Sequence, residues 1–291
     1  LACAIEDAGW EIRDCLSWLY GSGFPKSHNG AWGGTALKPA WEPVIMARKP
    51  LIGTVAANHA AHGTGALNID GCRIGTHDAT PEEWEAKGLA RVTGTAYGVH
   101  KPSATPLPSG RWPANVALDE DAAAALDEQS GELASRGNNG DSVGLSGTGF
   151  IGGKNESGSE YTHGDFGGAS RFFYTAKASR REREAGLTGP LSETGVKNGS
   201  GRGFSEADPY AKRLARNTHP TVKPVDLMRW LVRLVTPMGG TVLDPFLGSG
   251  TTLVAAIEEG CKGVGIEREA PYVEIAKARV AHAAAQGSLF K

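Results

Sequence analysis

The chain has 291 residues, 40% of them hydrophobic, and a formal net charge of −2. That is enough apolar material for one large domain or two small ones, and the near-neutral balance excludes nucleic-acid binding through bulk charge, so any such contact must come from a local basic patch. Cys3, Cys15, Cys72 and Cys261 form no C-x-x-C pair and read as reduced thiols of a cytosolic protein, and neither a membrane-spanning apolar run nor a signal peptide is visible.

The first residue is not Met, and the chain opens inside an element. Leu1, Ile5 and the small residues between them predict a helix that closes at Gly9. Residues 10–20 predict a strand with Ile12, Leu16, Trp18 and Tyr20 on one face, a period that Asp14 interrupts. A turn at 21–26 follows, then a second strand over 43–47, introduced by Trp41 and Glu42. From Gly53 to about Ala215 the pattern weakens. Residues 55–58 and 65–69 are small and weakly periodic, 66–74 suit a short strand and turn, 81–87 an acidic helical turn, and 111–116 an extended piece. Residues 119–129 predict a short helix whose early acids suit its dipole. The stretch 130–168 is rich in Gly, Ser and Asn and buries little, so a mobile insertion is expected, with a DNA-facing loop as the functional alternative. Residues 191–205 are similar.

Between these tracts, 171–183 reads as a strand followed by a helix capped at Ser179, with Glu182 in the capping-box position. Lys177, Arg180, Arg181 and Arg183 are the densest basic cluster of the chain; Lys212, Arg213 and Arg216 form a weaker one. The cluster reads either as a phosphate contact or as a solvated face paired with Glu182 and Glu184. His219-Pro220-Thr221-Val222-Lys223-Pro224 then leads into a helix, Val225–Val235, with Leu227, Leu231, Leu234 and Val235 at core-facing spacing. A hydroxyl, a cation and a helix N-terminus together favour a carboxylate ligand. His59, His62 and His219 lack partners at ligand spacing, so no metal site is expected.

Residues 241–252 read T-V-L-D-P-F-L-G-S-G-T-T, a short strand, a turn around Gly248 and Gly250, and a helix starting at Thr251 and Thr252. Strand, glycine turn and helix bind nucleotide-like ligands at the carboxyl end of a parallel strand. A third glycine of G-x-G-x-x-G would fall at Leu253, and no Lys follows Gly250, so pyrophosphate and triphosphate are poorly supported. Asp244 would repel phosphate and suits a cationic or amine-bearing ligand. Glu267 ends a second apolar run about twenty residues on, where a carboxylate accepts ribose hydroxyls. Ribose without phosphate, plus a positive centre, describes S-adenosyl-L-methionine. A last helix over 272–285 follows Pro271, with Tyr272, Ile275, Ala276 and Val280 as its buried stripe.

D-P-F-L-G-S-G-T-T, with H-P-T-V-K-P upstream and G-I-E-R-E at 265–269, resembles the amino-methylating DNA methyltransferases, N6-adenine and N4-cytosine, in the circularly permuted group whose cofactor half is C-terminal. The resemblance implies an α/β fold, an incomplete Rossmann-like three-layer sheet of the S-adenosylmethionine-dependent methyltransferases with a loop-rich recognition region inserted. Residues 1–52 would be the remainder of the catalytic half, 53–215 the target-recognition insertion, and 216–291 the cofactor half. It assigns cofactor contacts to Thr221, Asp244, Phe246, Gly248, Gly250, Thr251 and Glu267, and DNA contacts to Lys177, Arg180 and Arg181. The implied reaction is methyl transfer to an exocyclic amino nitrogen of a flipped base in double-stranded DNA, in a cytoplasmic protein of bacterial or phage origin. The family's catalytic motif, an Asp, Asn or Ser before Pro-Pro and an aromatic, is absent. Asp208-Pro209-Tyr210 lacks the second Pro, and the chain reads as N-terminally truncated. An RNA or protein amino-methyltransferase and a non-catalytic cofactor- or DNA-binding remnant are the alternatives.

Overall fold

In a computed structural model, the described residues are 1–21, 23, 30–75, 94–95, 98–99, 110–134, 166–176, 179–194 and 213–287. The expected helical turn at 81–87, residues 135–165 of the Gly-rich tract, Lys177 and Asp208-Pro209-Tyr210 lie outside them.

Helix α1 (Ala2–Asp7) leads into β1 (Glu11–Leu19), which pairs antiparallel with β2 (Trp41–Arg48). The pairing skips Arg13, a bulge between Ile12 and Asp14. This accounts for the polar residue that breaks the period of two: the Asp14 carboxylate accepts the Cys15 N–H and the Asn115 amide beside the irregularity. Because strand side chains alternate, Leu16, Val44 and Met46 enter the core, while Ile45 and Ala47 lie on the other face beside Ala4, Ile5 and Ala8 of α1.

Two further strands, β3 (Val116–Asp119) and β4 (Tyr174–Ala176), come from within 53–215 and extend β1 in parallel, giving a four-stranded sheet of order β2-β1-β3-β4. Helix α2 (Val55–His62) occupies a stretch whose pattern is weak; Thr54 caps it and Gly63 closes it in the left-handed region. Helix α3 (Glu120–Ser130) starts at Asp119, whose carboxylate accepts from Ala122 N and also from Gly21 N beyond the end of β1. A short helix, α4 (Arg180–Glu184), follows β4.

Helix α5 (Val225–Val235) is the hub. Leu227, Trp230 and Leu234 pack on the sheet, with Trp230 stacked on Tyr174 at 5.0 Å between ring centroids and its indole N–H donating to the Cys72 carbonyl. Its far side meets α6 (Thr251–Glu258) and α7 (Ala270–Gly287), where Val225, Val254 and Ala283 cluster. Arg229 and Arg233 of α5 converge on Glu259 just after α6. Being covered on two sides, α5 has a broader buried stripe than its leucines predict: Val225, Trp230 and Val232 are buried, whereas Val235 is exposed.

The last strands, β5 (Thr241–Asp244) and β6 (Lys262–Gly265), form a separate parallel ladder against α6. The architecture is α/β: of the four ladders in the four-stranded sheet and the β5–β6 pair, three are parallel, and these two pieces are joined through α5; the other described ladders, 94–95 with 98–99, 133–134 with 166–167 and 192–194 with 213–215, are short antiparallel pairs. Since Trp230 is 2% exposed and bridges sheet and helix layers, Trp230→Ala should destabilise the chain by about 3–5 kcal/mol in urea unfolding.

Candidate functional site

The glycine turn grows from the end of β5. Ile266 N donates to the Asp244 carbonyl and Leu247 N to the Ile266 carbonyl, so the ladder continues past both strands. The Asp244 carboxylate accepts Phe246 N at 2.9 Å and bends the chain, an Asx turn. Gly248 (φ +56°) and Gly250 (φ +85°) take left-handed conformations that L side chains rarely adopt, and Gly250 opens α6.

Glu267 closes the turn from the side. One carboxylate oxygen accepts Gly248 N and the other Glu269 N, each at 2.8 Å. These bonds, that from Glu269 first, hold the carboxyl below its ordinary value of 4.5. An ionised carboxylate has about four acceptor positions, so both oxygens keep capacity for a ligand.

His219 forms the opposite wall. A Cβ on Gly248 would lie 2.7 Å from its Nε2, so the glycine is needed for close approach of this ring. The ring meets Tyr272 edge-on at 4.6 Å, and its Nδ1 accepts Thr221 N at 3.3 Å, which leaves the proton of the neutral ring on Nε2. Burial lowers its pKa, favouring that neutral form. Thr221, His219, Gly248 and Glu267 are therefore linked in one contact chain, with Asp244 and the 87% exposed Phe246 beside it.

Two residues assigned to the cofactor face inward. Gly250 lies where a Cβ would come within 3.0 Å of Ala276 in α7, and the buried Thr251 hydroxyl accepts from Arg279 at 3.0 Å. Both support the turn from beneath. Lys223 is also committed elsewhere: its ammonium pairs with Glu42 at 2.7 Å and lies 5.3 Å from the Trp18 ring centroid, tying the 217–224 loop to β1 and β2.

Ser179 caps α4 by accepting Glu182 N, but the reciprocal half of the capping box does not form. The Glu182 carboxylate instead accepts Val225 N, the first amide of α5. Arg180 and Arg181 are exposed; Arg180 pairs with Glu184, which also holds Arg216. Lys177 is outside the described residues. Among the described residues no group of three or more His, Cys, Asp or Glu gathers at metal-binding distance, and no helix is long and apolar enough to cross a membrane.

The chain matches the N6/N4 DNA methylase family model over residues 1–278. It is 40% identical over 79 residues to the Type II methyltransferase M.ScaI of Streptomyces caespitosus, covering 26% of each chain. Over 62 residues it is 44% identical to the Type II methyltransferase M.BglI of Bacillus subtilis, covering 21% of this chain and 18% of that protein. The matched stretches thus span about a quarter or less of these relatives' length. The crystal structure of an M1.HpyAVI–SAM complex superposes with a TM-score of 0.34 at 16% identity, covering 96% of this chain and 67% of that one.

The depressed Glu267 pKa fixes the sign of a pH effect. A carboxyl whose folded value is lowered contributes stability above its unfolded pKa and loses it as pH falls through the folded value. Glu267→Gln should therefore be less stable than wild type near neutral pH, and the gap should close as pH falls below 4.5. Thermal unfolding of both proteins across that range measures it; a gap independent of pH would mean the charge is not what holds the turn.

Proposed function

The chain belongs to the N6/N4 DNA methylase family, and from that premise we propose that it carries the S-adenosyl-L-methionine site of a site-specific DNA methyltransferase acting on adenine N6 or cytosine N4. The observation that carries this reading is the carboxylate of Glu267 beside the Gly248 turn, with Asp244 at the strand end and no lysine for phosphate. The residues present fit the ligand. Glu267 has acceptor capacity for the ribose hydroxyls after binding two amides. Asp244 spends one oxygen on Phe246 N and keeps the other for a positive group. The exposed Phe246 ring offers a face for the adenine, and Thr221 a hydroxyl for the amino-acid carboxylate.

When bound, the ligand supplies a methyl group activated by its positive sulfur. The protein's part is positioning: Asp244 and Glu267 would hold the donor, and the amino nitrogen of a flipped base would be the acceptor. Neutral His219 keeps the turn's flank closed without adding charge. No covalent enzyme intermediate would be required: the methyl–sulfur bond would break with its electron pair left on sulfur as the nitrogen–methyl bond formed, and the amino proton would pass to solvent. Arg180, Arg181 and Lys177 are the proposed phosphate contacts, which set register without reading sequence. The 53–215 region is the proposed recognition insertion.

One observation favours a second reading, in which the chain binds without transferring. No two prolines are adjacent anywhere in the 291 residues, so the family's acceptor motif for the amino protons is not in this sequence.

Calorimetric titration with S-adenosyl-L-methionine tests the site. The expected result is saturable binding, weakened about tenfold or more by Asp244→Asn, which keeps the Phe246 hydrogen bond but removes the charge. A folded chain that gives no heat of binding would overturn the reading. Tritium transfer to DNA, tRNA and protein then separates the substrates, and binding without transfer to any of them would favour the second reading.

A further inference from the structure

Helix α7 carries a charge inside its apolar stripe. Arg279 stands at helical spacing with Tyr272, Ala276 and Ala283 and is 2% exposed. Its Nη1 donates to the Ser249 carbonyl at 2.8 Å, the Ser249 hydroxyl at 3.1 Å and the Thr251 hydroxyl at 3.0 Å. Ser249 and Thr251 are themselves buried and flank Gly250. Three acceptors thus gather on the two hydrogens of one guanidinium nitrogen, one N–H being shared, and fix the underside of the turn whose upper side presents the Gly248 amide to Glu267.

The rest of the guanidinium faces a different environment. Nε and Nη2 are buried and find no protein acceptor. Arg279 lines a cavity of about 50 Å³ with Glu182, Val225, Val254, Glu258 and His282, roomy and polar enough to hold water. Glu182 also caps α5 at Val225, directly after the loop that holds His219 and Thr221. Burial disfavours the charge on both groups, lowering the pKa of Arg279 and raising that of Glu182, and each is partly relieved by the other. A lone buried charge would be far costlier than this pair.

We propose that Arg279 is a positioning residue for the cofactor turn, braced through cavity water against the half-buried Glu182, so that the turn and the 217–224 loop are set by one ionic strut. What the turn binds rests on the reading above; the strut does not. Its loss should therefore affect ligand affinity beyond any effect on global stability.

The test separates those two effects. Arg279→Met leaves the half-buried Glu182 without the opposing charge and should both lower the melting temperature and weaken S-adenosyl-L-methionine binding about tenfold. Adding Glu182→Gln removes the orphaned charge while an amide oxygen can still cap Val225. Melting should recover in this double variant and affinity should not, with Arg279→Lys intermediate in affinity. Recovery of wild-type affinity together with melting would overturn the proposal. If the Arg279 variants do not fold, Ser249→Ala with Thr251→Val removes the hydroxyl acceptors and keeps the arginine; unchanged affinity there overturns it equally. If wild type binds no cofactor, the functional reading falls, and the strut is judged by amide hydrogen exchange. Faster exchange confined to residues 248–252 when those two hydroxyls are removed supports it, and unchanged exchange sinks it.

Discussion

The first amides of a helix buried on two sides cannot turn to solvent, and this need for an acceptor organises the molecule around the start of α5. Pro224 offers no side-chain cap, and the acceptor for Val225 N is the Glu182 carboxylate from α4. The same two segments are joined again where the Asn217 amide donates to the Arg183 carbonyl at 2.9 Å. Between these ties lies the loop that holds His219 against Gly248. The wall of the proposed cofactor site is thus placed by a carboxylate about forty residues away, through backbone hydrogen bonding, before any ligand is considered.

The elements were legible where one local cause decides them. Strand, glycine turn and helix at 241–258 follow from apolar spacing and two positions that need φ > 0, and Val225–Val235 from its apolar period. What could not be read is what depends on a partner distant in sequence. Ser179 with Glu182 satisfies the local capping pattern, yet the carboxylate does more for α5, because a buried amide without an acceptor costs more than one at the exposed start of α4. Residues 116–119 and 174–176 are too short to announce parallel pairing; the first becomes a strand because β1 offers an edge, and the second because the first then offers the next. Arg279 did leave a signal, since it lies three residues from Ala276 and four from Ala283, on the stripe that should be apolar. A charge at such a position asks for partners, and here they are the turn itself.

The two glycines of the turn illustrate the same limit. Spacing marks both as places where a ligand approaches the backbone. Gly250 is instead required by Ala276 of α7 and Gly248 by the His219 ring, so each serves approach of protein to protein. On the proposed reading, ligand access is left to the upper rim, where Phe246 is exposed and the carboxylates of Asp244 and Glu267 keep unused acceptor positions.

Charge is used sparingly for the same reason. In the described residues basic side chains often serve as ties: Lys223 to Glu42, Arg229 and Arg233 to Glu259, Arg216 to Glu184, Arg279 to the turn. A phosphate-facing surface in a chain of net charge −2 must then be assembled locally. Helix α4 would, on the proposed reading, do this within five residues: Glu182 turns inward to α5 while Arg180, Arg181 and Arg183 stay exposed. On the proposed reading, phosphate contact on one side of α4 and the α5 cap on the other share a single turn of helix. DNA bound there would bear directly on the loop that walls the cofactor turn.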